Sequence, residues 1–177
     1  MAPFGVGYFV GESSSPNILR PNSINPEDRV AWSKASDPNE RNKWKRVVTC
    51  PACHTPTVQV ELEENTVRLI HRCTNPRCPF PDGRIPIYIV DNEIYRYLPS
   101  VIVGTIDKLA GLGNQRKFSL IFGAVNGTCM KHGYFNGKCC QDECKDEKKW
   151  QKGKGLSGLS APTLFIQDEL QIGRASC

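Results

Sequence analysis

The sequence predicts an α/β protein: a layered core built on a parallel sheet and interrupted by cysteine-bearing insertions. Three observations lead there. The run Ser100-Val-Ile-Val-Gly-Thr105 passes straight into Ile106-Asp-Lys-Leu-Ala110. An apolar strand feeding a helix through a tight turn is the building unit of a parallel sheet buried on both faces. Cys50-Pro-Ala-Cys53 and Cys73-Thr-Asn-Pro-Arg-Cys78 bracket a stretch that alternates apolar and polar residues. A third group, Cys129-Met-Lys-His132 followed by Cys139-Cys140-Gln-Asp-Glu-Cys144, lies in a polar and basic surround.

The first strand falls in Phe4-Gly-Val-Gly-Tyr-Phe-Val10, which reads as buried without the usual polar lead-in. Gly11-Glu-Ser-Ser-Ser-Pro-Asn17 is turn chemistry, and a short helix begins near Pro26-Glu-Asp inside a polar connector. Thr57-Val-Gln-Val-Glu-Leu-Glu-Glu-Asn-Thr-Val-Arg-Leu-Ile-His71 reads as two antiparallel strands on either side of a Glu64-Asn65 turn. Ile85-Pro-Ile-Tyr-Ile-Val-Asp91 is a strand and Asn92-Glu-Ile-Tyr-Arg-Tyr-Leu98 a short helix or turn. Residues 115–125 form a helical or mixed apolar stretch. The Gly, Lys and Ser-rich 150–160 segment is a linker, and Pro162-Thr-Leu-Phe-Ile-Gln-Asp-Glu169 is a short strand ending in two acids.

Composition bounds the reading. The 177 residues suit one ordinary domain, and 15 glycines and 13 prolines point to insertions that dilute its core. Met1-Ala-Pro-Phe-Gly-Val-Gly lacks the basic segment and apolar run of a secretory leader, and no stretch approaches the roughly 20 apolar residues of a membrane span. A soluble, cytoplasmic chain without membrane contact is expected. The net charge of +5 permits contact with nucleic acid without requiring it.

In that compartment nine cysteines in short-loop pairs point to metal rather than disulfides. Zinc takes four soft ligands tetrahedrally, and two loops that each offer two thiolates supply them at little entropic cost. Cys50, Cys53, Cys73 and Cys78 are therefore expected to hold a structural Zn2+ in a zinc ribbon, with His54 and His71 as exposed neighbours. The second loop has four residues between its cysteines rather than two. Cys129, His132, Cys140 and Cys144 are candidates for a second zinc site, with Cys139 as the alternative to Cys140; a loop with free thiols is the competing reading.

An apolar strand ending in Asp-Glu places one carboxylate to hold Mg2+ and the next to orient a hydrolytic water, as in Walker B strands. Together with Glu93-Ile-Tyr-Arg-Tyr-Leu-Pro-Ser-Val-Ile-Val-Gly-Thr-Ile-Asp-Lys-Leu-Ala110 and Ala161-Pro-Thr-Leu-Phe-Ile-Gln-Asp-Glu-Leu170, the order of elements resembles the first RecA-like domain of superfamily 2 helicases. The similarity is to the large helicase-like proteins of DISARM phage-defence systems, and it covers most of the chain.

The resemblance implies a partial RecA-like P-loop NTPase core of three layers and an ATP-dependent DNA helicase or translocase, with DNA and other defence-system proteins as partners. Asp168 takes the Mg2+ role and Glu169 the catalytic-base role. Thr105, Asp107 and Lys108 fall in the nucleic-acid-facing motif Ib, where a helix N-terminus offers N–H groups to a phosphate; a simple N-cap is the bland alternative for Thr105.

The chain departs from the pattern in having no GxxxxGK[ST] loop, since Gly153-Lys-Gly-Leu-Ser has the wrong spacing. A P-loop is expected upstream, and this stretch by itself is expected to lack ATPase activity. Ile172-Gly-Arg-Ala-Ser-Cys177 reads as a translated sequencing adapter that has also replaced an expected His at Gln171. The expected divisions are 1–46 for the opening core and connector, 47–81 for the ribbon and 82–126 for core with motif Ib. Residues 127–160 form the second module and linker, 161–170 the acidic strand, and 171–177 the artefact. The rival function is a stand-alone zinc-ribbon module that contacts nucleic acid or protein through Lys43, Lys45, Arg46, Arg68, Arg72, Arg77 and Arg84. A third is a scaffold with no ligand but zinc.

Overall fold

The computed structural model describes residues 4–11, 15–105, 108, 116–129, 132–137 and 150–152. Within them the chain is a mixed α/β structure of three small sheets, one parallel and two antiparallel.

The parallel sheet has the order β5-β1-β6. Strand β1 (Val6–Phe9) lies between β5 (Ile87–Tyr88) and β6 (Val101–Gly104), with Val6 opposite both Ile87 and Val101. Side chains alternate across a strand, so Gly7, Phe9 and Ile102 share one face. That face is covered by α3 (Asp91–Tyr97) and a 3-10 turn (Arg116–Leu120), which bring Ile94, Tyr95, Phe118 and Leu120 onto Phe9. Phe9 meets Tyr95 edge-on at 5.7 Å between centroids, a favoured aromatic geometry. Gly7 is needed for this approach: a Cβ there would lie 2.8 Å from Pro99 Cγ and 3.1 Å from Ile94.

The opposite face corrects the sequence expectation of a β6 buried on both sides. Val101 and Val103 are 41% and 47% exposed. On that face Tyr8 and Ile87 pack into the cluster that contains Ala35 of α1, and the β6 end stays open.

The ribbon sheet is β2 (Val58–Glu63), β3 (Arg68–Cys73) and β4 (Arg84–Ile85), all antiparallel. The alternation foreseen in the sequence is realised. Val58, Val60, Leu69, Cys73 and Ile85 are buried against Ala35 and Trp44, whereas Gln59, Arg72 and Arg84 lie on the other face. The apolar face is closed by α1 (Pro26–Ser36), which starts at the foreseen Pro26 with Asn25 as its N-cap, and by the unforeseen α2 (Pro38–Asn42), capped by Asp37. Arg41 Nε donates to the Val60 carbonyl at 2.9 Å and fastens α2 to β2.

The segment expected to be one strand from Ile85 onward divides at Pro86. The pyrrolidine ring supplies no N–H for a ladder, so Arg84–Ile85 belongs to the ribbon and Ile87–Tyr88 to the parallel sheet. The Pro86 carbonyl accepts the Val6 N–H at 2.9 Å.

In the third sheet β7 (Gly127–Cys129) pairs with β8 (Gly133–Phe135) and β9 (Trp150–Lys152). Trp150–Lys152, which the sequence predicts as the start of a linker, is thus a paired strand. No helix among the described residues is long and apolar enough to cross a membrane.

Candidate metal centre and its surroundings

The four ribbon cysteines converge. Cys50 opens a tight turn in which the His54 N–H donates to the Cys50 carbonyl and the Cys50 N–H to the Thr55 carbonyl, each at 2.9 Å. His54 closes it at φ 56°, a left-handed conformation unusual for a side-chain-bearing residue. Cys73 is the last residue of β3. The longer second loop is drawn in by Asn75, whose side chain accepts the Arg77 N–H at 3.0 Å while its carbonyl accepts the Cys78 N–H at 3.0 Å. Four residues between the cysteines therefore serve as well as two.

The four Sγ atoms all lie within 4.8 Å of one another, with Cys53 and Cys73 at 3.5 Å and Cys50 and Cys78 at 3.7 Å. A disulfide requires about 2.05 Å, and these cysteines are free. A tetrahedron of 2.3 Å zinc–sulfur bonds has edges of about 3.8 Å, so the donor set could hold a metal ion such as zinc.

Thr55 Oγ1, 3.0 Å from Cys53 Sγ, leads the contacts that lower that thiol to about 6. Thr57 Oγ1, 3.3 Å from Cys73 Sγ, is the main cause of that thiol's lowered value. Burial pushes Cys78 up to about 12, so the bare cluster keeps a proton that a metal has to displace. The two threonine hydroxyls were not singled out from the sequence, although Cys53-His-Thr-Pro-Thr57 carries them beside the first cysteine pair.

His54 is exposed as expected, but His71 is not. It is fully buried in β3, and its Nε2 accepts the Arg46 N–H at 3.1 Å. Burial first, then Arg46 and Lys45, lower it to about 4, so it is neutral. The misreading has a simple cause: two residues before Cys73, His71 shares the inward face of the strand with it.

A second polar cluster joins the ribbon to the parallel sheet. Glu93, on α3, is buried, and its Oε1 accepts the Leu69 N–H of β3 at 3.1 Å. Arg68 Nε stands 3.7 Å from Glu93 Oε2, and its guanidinium lies 4.1 Å from the Tyr97 ring centroid. Tyr97 is itself stacked on Tyr88 at 5.6 Å. Burial raises Glu93 to about 7 against the pull of Arg68. No sequence signal marks Glu93, because a two-turn helix is too short to show which face is buried.

The second module is described in part. Cys129 is buried, and its Sγ lies 3.6 Å from His132 Nδ1, while Cys139, Cys140 and Cys144 lie outside the described residues. Of the motif residues, Thr105 is exposed and its N–H donates to the Phe9 carbonyl at 3.2 Å. Lys108 Nζ lies 2.5 Å from Asp91 Oδ2 and 2.6 Å from Asn17 Oδ1. Asp107, Asp168, Glu169 and residues 171–177 lie outside the described residues.

A four-cysteine knuckle at the end of an antiparallel ribbon, seated beside a parallel sheet, defines a class: an α/β protein with a built-in cysteine ribbon that could hold a metal ion. Within that class the chain is similar to the DISARM protein DrmA of Bacillus paralicheniformis, with 33% identity over 181 residues and 96% of this chain covered. It is a DrmA-like segment, and it spans 15% of that relative's length. No family model matches it.

Proposed function

We propose that this chain is part of an ATP-dependent DNA helicase or translocase of superfamily 2 that acts in DISARM-type antiphage defence. The observation that carries this reading is the similarity to DISARM protein DrmA along 96% of the chain. The fold gives independent support: β1 and β6 are parallel neighbours, and β6 runs into the Gly104-Thr105 turn. This is the arrangement a RecA-like core places at the nucleic-acid-facing end of its sheet. Motif Ib is Thr105, Asp107 and Lys108.

In the whole protein Asp168 holds Mg2+ and Glu169 serves as the base toward water attacking ATP. The P-loop comes from elsewhere in that protein. Zinc in the ribbon is structural, because four thiolates leave no open position for water. Cys129 and His132 form half of a second zinc site completed by Cys140 and Cys144.

The test is DNA-stimulated ATP hydrolysis by the longer protein that carries this segment. Glu169→Gln is expected to lower kcat by roughly a hundredfold or more while ATP still binds. Undiminished hydrolysis in that variant, or no DNA-stimulated hydrolysis in the parent, rules the motor reading out. If DNA binding persists without hydrolysis, the ribbon is a nucleic-acid-binding module, a reading favoured by Arg68, Arg72 and Arg84 sharing one face of the sheet.

A further inference from the structure

The charged face of the ribbon does not end at β4. Where the chain crosses at Pro86 from the ribbon to the parallel sheet, it leaves a groove of about 280 Å³. Its wall includes Ile70, its aromatic surfaces are Phe80 and Tyr88, and Arg68, Arg84 and Asp82 supply its charged groups. Drug-sized pockets start near 300 Å³, so the space suits one flat ring and its substituents rather than an extended side-chain array.

The groove is pre-organised. Tyr88 is stacked on Tyr97 with 18° between the rings, and Arg68 is fixed over Tyr97 by the Glu93 carboxylate. Arg84 is paired with Glu63 through one terminal nitrogen and remains 42% exposed. A guanidinium has five N–H donors in a planar fork, so the Glu63 contact positions Arg84 while leaving donors for an anion. Aromatic surface beside a positioned guanidinium is the combination that takes a base by its π-face and a phosphate by its charge.

We propose that this groove is a subsite for one unstacked base of single-stranded DNA, the base lying against Phe80 and Tyr88 and the adjoining phosphate on Arg84. The proposal rests on the nucleic-acid reading above and adds where the strand is held: at the seam between ribbon and parallel sheet. Two carboxylates, Glu63 and Glu93, hold the arginines in place, and Asp82 at the rim can accept a base amino group.

The experiment is fluorescence anisotropy with a labelled oligothymidine and an abasic oligonucleotide of equal length, using the full chain, its Phe80→Leu and Arg84→Gln variants, and several salt concentrations. The parent is expected to prefer the base-bearing strand roughly tenfold. Phe80→Leu, which keeps apolar bulk but removes the ring, abolishes that preference and leaves abasic affinity unchanged. Arg84→Gln weakens both strands equally and lowers the salt slope by about one. Equal binding of the two strands by the parent, or a preference that survives in Phe80→Leu, overturns the subsite while the DNA reading stands. No binding of either strand overturns the subsite as well, and the motor reading is then decided by the hydrolysis test on the longer protein.

Discussion

Glu93 Oε1 accepts the backbone N–H of Leu69 at 3.1 Å, so a single carboxylate of α3 holds the ribbon's central strand against the parallel sheet. The contact lies in a fully desolvated setting, with Arg68 3.7 Å away as the cationic partner. The two modules share one apolar cluster, in which Ile87 and Tyr8 of the parallel sheet pack with the ribbon's Val58, Val60, Leu69 and Ile85, and the Glu93–Arg68 pair adds a charged link beside it.

That charge gives the first prediction. Burial raises Glu93 from 4.5 to about 7. A folded-state value above the unfolded one means that the stabilisation is complete below about pH 4.5 and is lost as pH rises through 7. Glu93→Gln keeps an acceptor for Leu69 and removes the titration. In urea titrations the parent is expected to lose on the order of 1–3 kcal/mol between pH 4.5 and 7.5 relative to the variant. Parallel stability profiles for the two proteins would sink the assignment.

Metal removal is the second. The ribbon's inner face is capped at one end by the cysteine knuckles, so loss of the ion frees the loops that terminate β2 and β3. A chelator is expected to collapse the amide dispersion of residues 47–81, and Cys78→Ser to remove one equivalent of zinc. Cys129→Ser, by contrast, removes a second equivalent and leaves the ribbon signals in place. An amide spectrum that chelation does not change would show that the cysteines are not a metal site.

His71 yields the third. Its neutral ring fills the ribbon core and accepts the Arg46 N–H at 3.1 Å. His71→Phe keeps an aromatic ring in the core, slightly larger, but deletes the acceptor, at an expected cost of about 1–3 kcal/mol. His71→Ala adds a cavity and raises the cost to about 3 kcal/mol. Thermal unfolding at fixed metal concentration checks the order, and a silent His71→Ala would mean that the ring is solvated rather than packed.

The fourth concerns Lys108, which is 2.5 Å from Asp91 and 5.2 Å from the Phe9 ring centroid. Lys108→Met keeps the aliphatic stem and removes the ion pair. An expected loss of about 1–2 kcal/mol, reduced from the fully buried case by partial solvent access, marks a residue that braces the exit of β6 against α3. If unfolding is unchanged and only DNA affinity falls, the ion pair is no brace and Lys108 keeps its motif Ib role alone.

Local chemistry was legible from residue order alone. Cys50, Cys53, Cys73 and Cys78 announced their site by loop spacing. Alternation from Thr57 to His71 announced the two strands between them, and Pro26-Glu-Asp announced α1, because each signal is carried by residues a few positions apart. The run from Val101 to Gly104 likewise announced a strand, and its place beside β1 came from the tertiary structure. Tertiary structure decided what depends on distant partners. It split the segment at Pro86 between two sheets, left Val101 and Val103 open to solvent, and recruited Trp150–Lys152 into a strand beside Gly127–Cys129. It also buried His71 and Glu93. Whether a polar side chain is desolvated is set by surfaces folded onto it from elsewhere in the chain, and periodicity within one element carries no record of them.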